Sequence, residues 1–301
     1  MKLFGGIEAG GTKFVCAVGD STGTVHEKIR IPTRTPNETM PELIAYFKDV
    51  HSKAPLSAIG VASFGPVDPD PDSPTFGYIT TTPKPGWAQF NFVGAMRGAF
   101  GLPVGFDTDV NGAALGEYRW GTGQGLDNFI YITVGTGIGA GGMVNGKLLH
   151  GLMHPEMGHI FVPHDKRHDP FEGVCPFHGD CLEGLASGPS INKRWKVKSC
   201  SDELPDDHEA WELESGYLAA ALCNYIMILS PKRIIIGGGV MKHESLLSKI
   251  HPKVIALLNG YIKHKTILED IENYIVAPGL GDQSGICGAI ALAELAENNI
   301  R

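Results

Sequence analysis

Basic residues, long apolar runs and an export signal are scarce or missing in this chain of 301 residues. Lys and Arg together number 25 against 33 Asp and Glu, which gives a net charge of −8 with neutral His. Because nucleic acids are bound by clustered Lys and Arg, this balance argues against a nucleic-acid partner. No stretch of about 18 apolar residues occurs, so the sequence predicts no membrane span.

The first six residues, Met1-Lys2-Leu3-Phe4-Gly5-Gly6, lack the apolar core and the small-residue cleavage site of a signal peptide. We therefore expect a cytoplasmic protein in a reducing compartment. In such a compartment, neighbouring cysteines indicate a metal site before a disulfide. Of the six cysteines, Cys175 and Cys181 are close enough in sequence to share a metal ion.

The most specific motif is a cluster of metal-binding side chains, in which Cys175, His178 and Cys181 follow a C-x2-H-x2-C spacing. With His159 as a fourth ligand, the set suits a closed, tetrahedral, structural zinc site. Spacing alone leaves the fourth ligand open, because three other histidines lie nearby: His154, His164 and His168.

Two glutamates, Glu156 and Glu183, flank the metal motif on either side. A metal ion that fixes the loop between them would hold both carboxylates in place. The motif therefore predicts a polar pocket beside a clamped loop.

Apolar runs that end in glycine alternate with helical spacing along the chain, which indicates an α/β fold. The segment 69–85 is rich in Pro, Asp and Thr and is predicted to be a surface loop. The dipeptide Asn145-Gly146 predicts a hairpin turn. The scattered Lys, Asp and Glu residues between Lys193 and Glu214 are predicted to be solvated surface and helix ends. The predicted strands cover 3–8, 13–18, 25–31, 58–63, 102–106, 128–134 and 233–236, and the predicted helices cover 40–50, 110–119, 209–229 and 284–297.

Glycine loops follow two predicted strands, at Gly10-Gly11 and at 135–139. Such loops suit phosphate binding, because glycine lets backbone N–H groups approach an anion, but ordinary hairpin turns have the same composition. The P-loop pattern is absent. The G-x-G-x-x-G match at Gly137–Gly142 leads into a strand and not a helix, which excludes a Rossmann dinucleotide site. The strand-end glycines 237–239 suit either a nucleotide contact or a strand–helix connection.

The segment Asp107-Thr108-Asp109-Val110-Asn111 lies where a predicted strand gives way to a helix. Asp and Asn are favoured helix caps, so a local structural role is one interpretation. The other is catalytic, since α/β folds place chemistry at the carboxyl ends of strands, where an aspartate can accept a proton from an attacking hydroxyl.

Three of these motifs together resemble the ROK family of sugar kinases, repressors and related proteins, and within it the bacterial fructokinases. They are Glu8-Ala9-Gly10-Gly11-Thr12-Lys13, Glu156-Met157-Gly158-His159 with its Cys/His loop, and Leu182-Glu183-Gly184-Leu185-Ala186-Ser187-Gly188. The resemblance implies an actin-like ATPase (ribonuclease H-like) fold of two α/β domains flanking a cleft. It places residues 1–110 with about 288–301 in the smaller domain, and 111–287 with the zinc loop in the larger.

The resemblance also assigns roles. It makes Asp109 the base on the sugar hydroxyl and implies sugar contacts from five residues: Thr108, Asp109, Glu156, His159 and Glu183. It prefers His159 as the zinc ligand that joins Cys175, His178 and Cys181. The residues matching its nucleotide-lining positions are Thr133, Pro189, Gly237, Gly238, Gly239, Val240 and Met241. The two glycine loops add the predicted phosphate-binding residues Gly10, Gly11, Thr12, Lys13, Gly135, Thr136 and Gly137.

Three departures from the family pattern stand out. Glu8 replaces a common Asp near the Mg2+ position, Thr108 replaces an Asn, and His178 replaces a cysteine of the usual zinc loop. The predicted function is ATP-dependent phosphorylation of a hexose, most simply D-fructose to fructose 6-phosphate, with Mg2+ and a structural Zn2+, in a homodimer. Alternatives are a mannose- or glucose-preferring kinase and a non-catalytic sugar-binding protein. A repressor would need a helix-turn-helix domain, for which there is no room before Glu8.

Overall fold

The computed structural model describes residues 2–298, and within them it contains twelve strands and eleven α-helices. The strands are β1 Leu3–Ala9, β2 Lys13–Asp20, β3 Val25–Pro32, β4 Leu56–Ser63, β5 Tyr78–Ile79, β6 Phe90–Asn91, β7 Val104–Thr108, β8 Phe129–Val134, β9 Ile138–Val144, β10 Lys147–Leu148, β11 Ile234–Gly237 and β12 Ile275–Val276. The helices are α1 Pro36–Lys53, α2 Phe92–Phe100, α3 Asp109–Trp120, α4 Leu182–Ala186, α5 Gly188–Trp195, α6 Cys200–Glu203, α7 Glu209–Leu229, α8 Glu244–Leu258, α9 Lys265–Leu268, α10 Ile271–Tyr274 and α11 Ser284–Asn298.

The first sheet has the strand order β3-β2-β1-β4-β7. The three strands predicted over 3–8, 13–18 and 25–31 are confirmed as β1, β2 and β3, and they form an antiparallel meander, whereas β1, β4 and β7 are parallel. Ala9 pairs with Ser63, and Ser63 pairs with Thr108. The loops that follow these three residues therefore all leave the carboxyl ends of the parallel strands. The first and the last of these loops are two strand spacings apart, which is about 10 Å.

The small residues of α11 let this helix pack directly on the first sheet and on α3. A methyl group built on Gly60 of β4 would lie 1.9 Å from the carbonyl oxygen of Ala289. One built on Gly288 of α11 would lie 1.7 Å from the carbonyl oxygen of Gly112 in α3. A side chain at either glycine would force the backbones apart, which explains the small-residue composition of this C-terminal helix.

The second sheet has the strand order β10-β9-β8-β11-β12, with β8, β11 and β12 parallel. The predicted hairpin at Asn145-Gly146 is confirmed, since both residues have positive φ (52° and 73°) between β9 and β10. Among the helices of residues 2–298, none has the length and apolar character that crossing a bilayer requires.

Contacts between Cα atoms divide the chain into two units. The first comprises the chain up to Asp127, Gly141–Pro155 and the chain from Gly279 onward, and the second comprises Asn128–Ala140 and Glu156–Pro278. The predicted domains, 1–110 with about 288–301 and 111–287, stay a prediction. Residue 1 and residues 299–301 lie outside the described part of the chain.

Some predicted elements differ from the structure. The helix predicted over 40–50 extends over Pro36–Lys53, because Thr35 and Glu38 form a capping box and Pro36 suits the first helical turn. The prediction of a plain surface loop over 69–85 is wrong in part. This segment contains β5, whose Ile79 is fully buried and packs in the core of the first unit.

Candidate active site

The first glycine loop connects β1 and β2 and has the features of an anion site. Gly10 donates its N–H to the carbonyl oxygen of Lys13 at 3.0 Å, and Thr33 Oγ1 donates to the carbonyl oxygen of Gly10 at 2.7 Å. Within residues 2–298, no protein acceptor pairs with the N–H groups of Gly11 and Thr12. With Lys13 beside them, these two donors can bind a phosphate oxygen.

Glu8, the last but one residue of β1, turns its carboxyl group toward the start of α11. A methyl group on Gly285 would lie 2.6 Å from Cδ of Glu8, so only glycine leaves room for this carboxyl group. Burial raises the pKa of Glu8, the positive charge of Lys13 opposes the shift, and Asp282 adds to it. The carboxyl groups of Glu8 and Asp282 and the ammonium group of Lys13 therefore lie close enough to influence one another beside the first glycine loop.

Asp109 opens α3 directly after β7. Its Oδ1 accepts the N–H of Val110 at 2.9 Å, and its side chain is half-buried. The preceding Thr108 is the N-cap of α3, because its Oγ1 accepts the N–H of Asn111 at 3.0 Å. Thr108 is 3% exposed, so the structure gives its side chain a capping role, and its predicted sugar contact stays a prediction.

A buried polar network behind Asp109 was not predicted from the sequence. Asp107 is 2% exposed and accepts the side-chain N–H of Asn111 at 2.9 Å. Its other carboxyl oxygen lies 2.8 Å from Nε2 of His150, and this hydrogen bond raises the pKa of His150. Asn111 Oδ1 in turn accepts the N–H of Gly142. His150 is 43 residues from Asp107 in the sequence, and no sequence motif predicts that the two residues are in contact.

In the second unit, the structure brings together most of the residues predicted to contact ATP. Thr133 at the end of β8 pairs with Gly237 at the end of β11. A methyl group on Gly238 would lie 2.4 Å from the carbonyl oxygen of Val134, and the N–H of Gly188 donates to the carbonyl oxygen of Gly135 at 2.8 Å. The second glycine loop, the strand-end glycines and the start of α5 therefore meet. The remaining predicted residues of this group adjoin them in the chain: Thr136, Gly137, Pro189, Gly239, Val240 and Met241.

Glu183 of α4 lies between the second glycine loop and the metal cluster. Its Oε2 accepts the N–H of Ile138 at 2.9 Å, and its Oε1 lies 3.9 Å from Nε2 of His159. Gly137 must be glycine here, because a methyl group would lie 2.6 Å from Oε2 of Glu183. Glu156 is exposed and precedes the short 3-10 helix Met157–His159, where its carbonyl oxygen accepts the N–H of His159.

The four predicted metal ligands converge on one point. The ligand atoms of His159, Cys175, His178 and Cys181 all lie within 4.8 Å of one another. His159 Nδ1 lies 3.7 Å from Cys175 Sγ and 3.5 Å from Cys181 Sγ, and Cys175 Sγ lies 3.6 Å from His178 Nδ1. A tetrahedral zinc ion with bonds of about 2.3 Å to sulfur and about 2.05 Å to nitrogen separates S and N by about 3.6 Å. The observed distances fit zinc.

The alternative fourth ligands are engaged elsewhere. His164 lies 3.0 Å from Asp180 Oδ2 and 2.9 Å from the carbonyl oxygen of Asp169, and His168 lies 3.0 Å from Asp165 Oδ2. His154 accepts the N–H of Val67. The structure therefore places His159, and none of these three, in the cluster.

The loop around the ligands depends on tight turns. Cys175 and Gly179 form a β-bridge, and Gly179 has a φ of +66°. A methyl group on Gly173 would lie 2.0 Å from the carbonyl oxygen of Gly179. Burial raises the pKa of Cys181 to about 11. A bound cation would offset that effect, because thiolates are the form that ligates metals.

A model of the ROK family matches residues 4–296 of the sequence. The chain belongs to the ROK family. The chain is 51% identical to a protein of Bacillus subtilis described as a putative fructokinase, over 98% of this chain and 96% of that protein. It is 46% identical to the fructokinase of Zymomonas mobilis, over 99% of this chain and 98% of the relative.

A solved structure agrees with the fold. The ROK glucokinase of Streptomyces griseus, determined in complex with glucose and AMPPNP, aligns with a TM-score of 0.78 and 26% identity, over 97% of this chain and 99% of that one. The predicted actin-like ATPase fold is confirmed by this similarity.

Proposed function

We propose that the protein transfers the γ-phosphoryl group of ATP to D-fructose and forms fructose 6-phosphate. The observation that carries the proposal is the 51% and 46% identity, over nearly the whole chain, to the proteins of B. subtilis and Z. mobilis described as a putative fructokinase and a fructokinase. Similarity to the glucokinase of S. griseus is lower, at 26% identity, which favours fructose over glucose.

Asp109 is the proposed base. It lies at the carboxyl edge of the first sheet, where a proton from the attacking hydroxyl can be accepted, and such assistance contributes about 10²–10⁴-fold in rate. Thr108, Glu156, His159 and Glu183 are the other proposed sugar contacts. Positioning of the two substrates and electrostatic stabilisation of the phosphates would supply the rest of the rate enhancement.

Both glycine loops are proposed to bind ATP phosphates, because each presents backbone groups at the end of a strand. Mg2+ would be held through water by Glu8, since magnesium retains water ligands and prefers carboxylate oxygens. When bound, it would neutralise charge on the phosphates. The fit is chemical: Glu8 supplies a carboxylate close to the loop.

The metal cluster is proposed to hold a structural zinc ion through His159, Cys175, His178 and Cys181. The ligand separations support this, and four protein ligands leave no open position for substrate. The zinc would fix the loop between His159 and Glu183. Because His159 has a second ring nitrogen, Nε2, on the side of Glu183, the same residue can contact the sugar. We also expect a cytoplasmic homodimer, from the family resemblance.

The test is a coupled assay of ADP release with equal concentrations of fructose, mannose and glucose, at saturating ATP and Mg2+. We expect the highest kcat/KM with fructose and a product phosphorylated at carbon 6. A clear preference for glucose or mannose would replace fructose as the substrate, and absence of phosphoryl transfer to every hexose would favour the sugar-binding alternative.

A further inference from the structure

Lys84 lies on the first glycine loop, although the sequence places it in a segment with no assigned role. A methyl group on Gly11 would lie 3.0 Å from Cε and 3.2 Å from Nζ of Lys84. The side chain is half-buried. Its ammonium group therefore lies directly over the backbone that is proposed to bind phosphate.

Nothing in residues 2–298 neutralises this ammonium group. No carboxylate of the described chain lies within 4.0 Å of it, whereas Lys53 and Lys166 each have a carboxylate at 2.6 Å. A half-buried ammonium group without a carboxylate partner is suited to bind a negatively charged ligand such as a phosphate. Together with Lys13, it gives the first glycine loop two positive charges.

The position of Lys84 is fixed by the core behind it. Its carbonyl oxygen accepts the N–H of Trp87, a fully buried residue whose Nε1 donates to the carbonyl oxygen of Arg34 at 2.7 Å. The Trp87 ring packs against Phe14, with 5.3 Å between the ring centroids. Phe14 directly follows Lys13, so one aromatic cluster holds both lysines relative to the loop.

Lys84 also lies at the edge of the sheet that carries Asp109. Gly10 follows Ala9 of β1, Asp109 follows Thr108 of β7, and β4 alone separates the two strands. The two strand ends are therefore about 10 Å apart, a spacing that a nucleotide phosphate chain on the glycine loop and a sugar beside Asp109 can fill, with the transferred phosphorus between the leaving and the attacking oxygen. The ammonium group beside Gly11 lies at the phosphate end of that arrangement.

We infer that Lys84 is a catalytic residue that binds the non-bridging oxygens of the phosphoryl group during its transfer. The inference rests on the proposed kinase function. In that step, the bond between the γ-phosphorus and the oxygen bridging to the β-phosphate breaks, and a bond from fructose O6 to the γ-phosphorus forms. The O6 proton passes to Asp109, ADP retains the bridging oxygen, and Lys84 stays protonated. Such a group stabilises charge that spreads over the transferred phosphoryl oxygens.

The experiment compares Lys84→Met with Lys48→Met, an exposed lysine of α1 that serves as the matched control. We expect Lys84→Met to lower kcat about 10²–10³-fold, in the range found when one charge-stabilising donor is removed. Lys84→Arg should recover part of the rate, because it keeps the charge. Lys48→Met should retain the wild-type kcat.

Binding measurements separate this role from a structural one. By calorimetry, Lys84→Met should weaken fructose 6-phosphate binding about tenfold or more and leave fructose binding unchanged, since only the product carries the phosphoryl group. Unchanged kcat, or a higher KM for ATP with unchanged kcat, would overturn the inference. If Lys84→Met does not fold, Lys84→Gln is measured in the same way. An inactive wild-type enzyme would instead refute the proposed function.

Discussion

The carboxylate of Asp107 lies 2.8 Å from Nε2 of His150, and the same carboxylate accepts a hydrogen bond from the side chain of Asn111. Asp107 is buried and two residues from the proposed base, whereas the His150 side chain is 37% exposed. This contact therefore ties the carboxyl end of β7 and the start of α3 to the residues that follow β10.

The Asp107–His150 contact should make stability depend on pH. The hydrogen bond to Asp107 raises the pKa of folded His150 above its usual value of about 6.5. The stabilisation is therefore fully present below about pH 6.5 and is lost as pH rises through the folded pKa. Because the ring is more than one third exposed, we expect an effect below about 1 kcal/mol.

The measurement is the free energy of unfolding of wild type and His150→Gln at pH 5.5 and pH 9. The difference between the two proteins should be larger at pH 5.5. His264→Gln, which changes an exposed histidine without a carboxylate within 4.0 Å in the described part of the chain, should show no such trend. An equal difference at both pH values would show that the charge of His150 contributes nothing.

Asp109→Asn should lower kcat about 10²–10⁴-fold, because an amide cannot accept the proton of the attacking hydroxyl. The amide oxygen can still accept the N–H of Val110, so α3 should begin as before. Steady-state kinetics, with calorimetric titrations of fructose and of an ATP analogue, separate turnover from binding. Asp72→Asn, on an exposed loop of the same unit, is the control. A kcat near wild type would remove Asp109 from the mechanism.

Local patterns predicted the parts of the fold that depend on neighbours in sequence. Apolar runs located the strands of the opening meander, and Asn145-Gly146 located a hairpin. The metal ligands were predictable because three of them lie within seven residues, 175–181. The helices α2, α5 and α8 were not predicted, and two of them are only nine and eight residues long.

Contacts between distant residues were not predictable. The Lys, Asp and Glu residues between Lys193 and Glu214 were predicted to be solvated surface and helix ends, which is wrong for Glu214. Glu214 is 1% exposed, and burial raises its pKa, while the Arg194 side chain lies 3.1 Å from Asp169 and over the ring of Phe171. The composition of such a segment predicts a polar surface. Which of its charged residues are buried depends on contacts with residues far away in the sequence, and a local pattern does not show these.

Glu117 should be one of the most sensitive positions for stability. This fully buried residue accepts hydrogen bonds from the backbone N–H groups of Thr122, Gly279 and Leu280 and from the hydroxyl groups of Thr122 and Ser284. In Glu117→Gln, an amide N–H group would face some of these donors. We expect a loss of about 3 kcal/mol, the scale of a lost hydrogen bond to a buried charge.

Urea unfolding monitored by circular dichroism measures the Glu117→Gln effect. The exposed Glu272→Gln serves as the matched control and should stay within about 0.5 kcal/mol of wild type. If the two variants unfold at the same urea concentration, the hydrogen bonds to Glu117 do not hold the start of α11 in place.

Loss of the metal should weaken sugar binding more than nucleotide binding. The ligand Cys181 is the N-cap of α4, which contains Glu183. The ligand His159 lies with its Nε2 3.9 Å from the carboxylate of Glu183. Without an ion, the loop between them would lose its cross-link, and the two proposed sugar contacts would lose their fixed positions. The nucleotide residues of β8 and β11 are held by strand pairing, which does not need the ion.

His178→Ala and His168→Ala provide a matched pair, because both residues are exposed histidines of the same loop and only His178 is in the metal cluster. Elemental analysis should find about one zinc per chain in wild type and His168→Ala, and less in His178→Ala. Limited proteolysis should cut His178→Ala faster between residues 159 and 183, and calorimetry should show a larger loss for fructose than for the ATP analogue. Native protein without zinc would overturn the assignment. An equal loss of affinity for fructose and for the ATP analogue would show that the ion stabilises the protein as a whole and does not position the sugar contacts.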